Sequence, residues 1–175
     1  MAYPAFITDF LRKTQLPRLS VQEPAPDKQL IQRVAEAEDD EIASANGPEA
    51  KCIRSLLYLA AGGVDQAHRI VQEISTSDAA YIHGIIHRID DDFDNARYWF
   101  RRAGMQPATA EMYRRAAANS LTVAGHPIWD PLLVTDMVET SRTAGVTQEL
   151  RAILTIEFEV LLLFLSNRTE PGNLV

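Results

Sequence analysis

Apolar positions recur along this chain with a helical period almost throughout, and strand-like alternation is rare. The densest stretch runs from Tyr81 to Gly104, YIHGIIHRIDDDFDNARYWFRRAG. Ala79, Ile82, Ile85, Ile86 and Ile89 fall at spacings of three and four, which places them on one stripe of a helix. Ala96, Trp99, Phe100 and Ala103 form a second stripe. The pattern predicts a helical hairpin: one helix from about Ser77 to Asp90, a tight acidic turn, and a second helix from Phe93 to Ala103.

The same reading carries outward from that hairpin. Phe6, Ile7, Phe10 and Leu11 suit a short amphipathic helix within residues 1–13, and Pro17, Pro24 and Pro26 make Gln15 to Pro26 an extended connection. A helix is expected from Asp27 to about Ala45, with Leu30, Ile31, Val34 and Ala37 inward and Glu36, Glu38, Asp39, Asp40 and Glu41 outward. Asn46-Gly47-Pro48 should stop it. Downstream, Pro107 to Ala124 reads as one helix through Ala110, Tyr113, Ala117 and Leu121. Asp130 and Pro131 should cap and open another over Leu132 to Ala144. Gly145 ends it, and Thr147 can cap the last helix, Gln148 to Leu165. There Leu150, Ile153, Leu154, Phe158, Leu161, Leu162 and Leu165 make an apolar band, suited to a central core helix or to a homodimer face. The expectation is an all-α protein: an N-terminal segment 1–26, one helical domain 27–168, and a tail 169–175.

Residues 55–74 align with 84–103 at an offset of 29 without a gap. Ser55 then matches Gly84, Tyr58 matches His87, Ala67 matches Ala96 and Val71 matches Phe100. Small residues where two antiparallel helices approach let the backbones close, and larger groups fill the flanking holes. This spacing resembles the tetratricopeptide and Sel1-like repeats. The resemblance implies antiparallel helical hairpins in one compact, right-handed superhelical domain, and no particular function.

Composition narrows the partners. The 175 residues, 46% apolar and 23% charged, suffice for a core without disulfides or metal. A net charge of −7 argues against nucleic acid and anionic membrane, which both need a basic face. The single cysteine, Cys52, rules out an internal disulfide and reads as a small core residue. The opening MAYPAFITDFLRKTQ lacks the features of a signal peptide, and the apolar run Val160 to Leu165 is too short to span a bilayer. A cytoplasmic location is the expectation.

The candidate chemistry lies in the repeat region. His83 and His87 sit four apart on one helix face, where two imidazoles can reach one divalent metal ion, and His68 lies on the preceding helix. Asp90, Asp91 and Asp92 supply nearby carboxylates. The alternative is structural: His87 stands where Tyr58 stands in the other repeat, an inward ring position, and HxxxH lacks the glutamate of HExxH. Calcium is excluded at Asp90–Arg101, because Asn95 and Arg101 occupy the glycine and glutamate positions of an EF-hand loop. Arg88, Arg97, Arg101 and Arg102 can pair with the acidic turn or form an anion site. Tyr98 and Trp99 point in different directions, and one of them should line a groove. The candidate ligand-binding set is therefore His68, His83, His87, Arg88, Tyr98, Trp99 and Arg102, with His83 and His87 as candidate metal ligands.

From His68 onward the chain also resembles a family of small uncharacterised helical proteins of bacteria and fungi. The match is carried by His68, Gln72, Tyr81, His83, His87, Arg88, Asp92, Asn95, Tyr98, Trp99, Arg101, Arg102, Gly104 and Pro107. It departs at Asp90 and Asp91, where the family pattern has Glu-Gly, and at Gln106, where it has His. That resemblance implies the fold and the choice of residues but no activity, and Gln106 removes a potential fourth metal ligand. The first reading is an interaction or small-ligand-binding module. The second is a hydrolase-like enzyme using the histidines with an acidic partner. The third is a structural homodimer subunit joined through the last helix.

Overall fold

The computed structural model describes residues 3–43 and 47–168, and among them every regular element is an α-helix. The first, α1 (Ala5–Leu11), is built into the main core, with Ile7 and Phe10 fully buried. The Tyr3 hydroxyl donates to the carbonyl of Glu159 at 3.1 Å, tying the start of the described chain to the last helix. Residues 3–26 thus share their core with the rest.

Asp27 caps α2 (Lys28–Glu36) by accepting from the amides of Gln29 and Leu30 at 2.9 and 3.0 Å. The single helix expected over 27–45 is broken at Ala37 and Glu38, both extended, and resumes as α3 (Asp39–Ile42). Five acidic residues within 36–41 would repel one another along a continuous helix, and Glu38 instead opens a new one through a capping box with Glu41. Arg54 secures the break, donating to the carbonyls of Val34 at 2.6 Å and Ala37 at 2.8 Å and pairing with Asp39 at 2.7 Å. Asn46, expected to help stop this helix, lies outside the described residues.

Four helices follow in two hairpins: α4 (Pro48–Ala61) with α5 (Val64–Val71), and α6 (Ser77–Ile89) with α7 (Phe93–Ala103). Their boundaries follow local chemistry. Pro48 opens α4, Gly62 ends it at φ +90°, and Thr76 accepts from the Ala79 amide at 3.2 Å. Between α6 and α7 Asp91 takes φ +60°, and Asp92 accepts from the Asn95 amide at 3.4 Å. The aligned small positions are points of close packing. Ser55 donates to the carbonyl of Ala67 at 3.1 Å, Ala67 and Ala96 are fully buried, and a Cβ on Gly84 would lie 2.8 Å from the Phe100 ring. Helix α6 also packs on α4 and α5, so the second hairpin is seated on the first.

The helix expected over 107–124 is two: α8 (Thr109–Ala117) and α9 (Leu121–Ala124). Ser120 interrupts it by accepting from the Val123 amide at 3.0 Å, the role in which serine outcompetes a helix interior. The buried face shifts with the break. Met112 and Ala116 are inward, whereas Ala110 is exposed and Leu121 is 91% exposed. As expected, Asp130 caps α10 (Pro131–Ala144), accepting from Leu132 at 2.8 Å. Thr147 likewise accepts from Leu150 at 3.1 Å at the start of α11 (Gln148–Arg168). The apolar band of α11 is spent inside the chain, against α4, α8 and α10. No helix among the described residues is long and apolar enough to cross a membrane.

Candidate functional site

Helix α6 is enclosed on both sides, and its two polar stripes lead to different places. At about 100° per residue, Arg88 lies about 20° from Tyr81 around the helix, while His83 and His87 lie well away from that stripe. The structure follows this geometry. Tyr81 and Arg88 face α11, and the two histidines face α5 and α7.

On the histidine side three imidazoles converge. Nε2 of His68, on α5, is 2.7 Å from Nε2 of His83. The rings of His83 and His87 lie nearly parallel with centroids 5.0 Å apart, and one nitrogen from each of the three rings falls within a 4.8 Å cluster. Trp99 from α7 covers His83 with ring centroids 3.9 Å apart. Asp92 approaches Nδ1 of His87 to 3.5 Å, and the Asn95 amide lies 3.3 Å from the same ring. His68 and His87 border an open cleft of about 280 Å³ whose other walls include Val21, Pro26, Asp65, Gln66 and Asp90.

The cluster is not satisfied by its own atoms. The 2.7 Å contact holds one proton, so one imidazole donates and the other accepts. In either tautomer the buried Nδ1 of His83 has no hydrogen-bond partner. Burial first, then the positive charge that His68 and His87 can carry, pushes the His83 pKa down to about 4. His87 is also lowered, chiefly by burial, with Asp92 opposing. The folded chain thus favours neutral His83, the form in which one ring nitrogen carries a lone pair and the other a proton.

Of the other candidates, Trp99 joins the cluster directly, Arg102 lies over its indole at 5.7 Å, and Tyr98 meets its edge at 5.5 Å while remaining largely exposed. Arg88 is not brought to the cleft. It is buried, pairs with Glu157 through a very short contact, and stacks over Phe100 at 5.3 Å. Arg97 pairs with Asp94, Asp136 and Glu139, and Asp91 pairs with Arg142, so that part of the surface is an ion-pair network. Gln106 donates to the carbonyl of Ala103 at 2.7 Å. Ala103 is eight residues, about 12 Å along a helix, from Asn95 beside His87. Cys52 is fully buried, and burial followed by the charges of Asp78 and Glu49 pushes its thiol up to about 12. It is core.

Sequence reasoning missed the network behind Arg88. The Tyr81 hydroxyl donates to Glu157 at 2.8 Å and accepts from Trp129 Nε1 at 2.8 Å. The signal was present: a carboxylate inside the apolar band of α11 needs a buried partner.

No family model, curated protein or solved structure matches the chain.

Proposed function

We propose that this is a tetratricopeptide-like helical-hairpin protein, akin to the small uncharacterised helical family it resembles, and that it works as a small-ligand-binding module. Its ligand enters the cleft beside His68 and His87 and is held by the imidazole cluster. The observation that carries this reading is the orphaned Nδ1 of buried His83, a ring whose other nitrogen meets His68 at 2.7 Å in a cluster of three imidazoles. A core selected for stability alone would fill that position with an apolar side chain.

Stability measurements test it. His83→Leu should leave the fold as stable at pH 7 as the wild type, or more stable by about 1 kcal/mol, because a buried unpaired polar atom is removed. His87→Leu should be close to neutral. If each variant instead loses several kcal/mol, as truncated core residues do, the rings are structural and the reading falls. A second reading, a hydrolase-like enzyme, is favoured by one observation. Asp92 stands 3.5 Å from Nδ1 of His87, the arrangement by which a carboxylate orients a general base. Nothing in α11, whose apolar band is buried within the chain, favours the homodimer.

A further inference from the structure

We infer that the ligand of this cluster is a divalent transition-metal ion of the zinc class, bound by His68, His83 and His87 with its fourth position open to the cleft. The inference rests on the reading of the cluster as a binding site and names what it binds.

Three features of the geometry point to a metal rather than an organic ligand. The three donor nitrogens converge within 4.8 Å, and the i, i+4 pair on α6 is completed by a ring from the neighbouring helix. Nitrogens bound at about 2.0–2.1 Å on a tetrahedral ion stand about 3.4 Å apart. The 2.7 Å pair must therefore open slightly and the widest pair close by about 1.4 Å, changes within the reach of side-chain rotation. His87 makes the larger movement. An ion lies in the plane of each imidazole that binds it, so the ring parallel to His83 has to turn. Its polar contacts are long, 3.3 Å to the Asn95 amide and 3.5 Å to Asp92, and its other neighbours in the cluster are the rings of His68 and His83.

The second feature is the carboxylate at His87. A metal-bound imidazole donates its other N–H to an acceptor, which fixes the tautomer and raises the basicity of the ligand. Asp92 is already 3.5 Å from Nδ1, and Nε2 becomes available to the ion once the Asn95 amide, 3.3 Å from both ring nitrogens, gives way. The third is the open side. Three protein ligands leave one tetrahedral position, and the adjoining cleft of about 280 Å³ has room for water and a small molecule there. The carboxylates of Asp65 and Asp90 on its walls favour a cation within. Three imidazole nitrogens suit zinc, cobalt, nickel or copper and discriminate against magnesium and calcium, which prefer oxygen.

The test uses the full chain without a histidine tag. Elemental analysis after purification should find about one zinc per chain, and Co²⁺ added to the stripped protein should give the visible absorption of a tetrahedral site. Cu²⁺ at the same site should quench Trp99 fluorescence, read in a Trp129→Phe background. His68→Gln and His87→Gln should each weaken Co²⁺ binding at least about 100-fold, the upper end of what losing even a supporting group costs. His126→Gln, remote in sequence from the cluster, should bind like the wild type. Far-UV circular dichroism checks that the variants fold, and the His87 side chain, 14% exposed, is not sealed in the core. Absence of a cobalt spectrum at excess ion, or binding unchanged in both cluster variants, overturns the metal. The stability of His83→Leu is measured without metal, so a binding site for some other ligand would survive that failure.

Discussion

Removing the carboxylate of Glu157 is the sharpest probe of the core. Its side chain is 2% exposed and that of Arg88 is 4% exposed, so neither charge has ready access to bulk water. Glu157→Leu fits the surrounding apolar band but leaves the guanidinium without its counter-ion, a loss that costs about 3–5 kcal/mol when one partner of a buried pair is deleted. Tyr81 loses its acceptor in the same step, which adds about 1 kcal/mol. A small cavity of about 30 Å³ beside the pair works in the other direction. It has room for one water, which would hydrate the stranded guanidinium and move the cost toward the lower end of that range. The net expectation is about 4–5 kcal/mol, or a Tm lower by roughly 8–20 °C for a chain of this size. Urea unfolding at pH 7, followed by circular dichroism and by Trp129 fluorescence, measures it. The double variant Arg88→Met/Glu157→Leu removes both charges and should recover most of the loss, since an apolar pair of similar volume is commonly as stable as a buried ion pair. A Glu157→Leu loss below about 1 kcal/mol, or a double variant no better than the worse single one, would refute the reasoning.

Gly84→Ala gains about 1 kcal/mol of helix propensity but drives a methyl to 2.8 Å from two atoms of the buried Phe100 ring, and overpacking of this kind costs about 1–3 kcal/mol. A net loss is expected, relieved when Phe100→Leu is added; an outright gain would show that the ring yields freely. Stability of the metal-free protein should fall as pH drops from about 6.5 toward 4. The folded state holds His83 neutral while the unfolded chain takes up the proton, so the contribution is complete above the unfolded pKa and lost on acidification. His83→Leu should flatten that slope, and superimposable pH profiles for the two proteins would refute the assignment. Asp92→Ala removes the cap of α7 and should cost about 1 kcal/mol, read by thermal unfolding. It should also lower the His87 pKa further, visible by NMR titration of the ring, because a neighbouring negative charge is lost.

Local chemistry was legible in the chain. Periodicity marked α6 and α7 to within a residue, and Asp130, Pro131 and Thr147 act at the helix starts read for them. The 29-residue repeat pointed to Ser55 and Gly84 as points of close approach, and both pack that way. The breaks at Ala37 and Ser120 were harder, because a break depends on what competes with helix at that point: acidic repulsion and Arg54 in one case, a serine cap in the other.

At the candidate site the chain by itself determined that His83 and His87 share a face, since helical spacing is local. Which face that is, and what stands opposite, depends on contacts between helices remote in sequence. Only the tertiary structure brought His68 to 2.7 Å from His83, laid Trp99 over it, and turned Arg88 away from the cleft toward Glu157, 69 residues along the chain. A one-dimensional pattern records which side chains seek burial. It does not record which of the enclosed surfaces of α6 meets a carboxylate and which meets another imidazole, because that is decided by the packing of α11 and α5 around it.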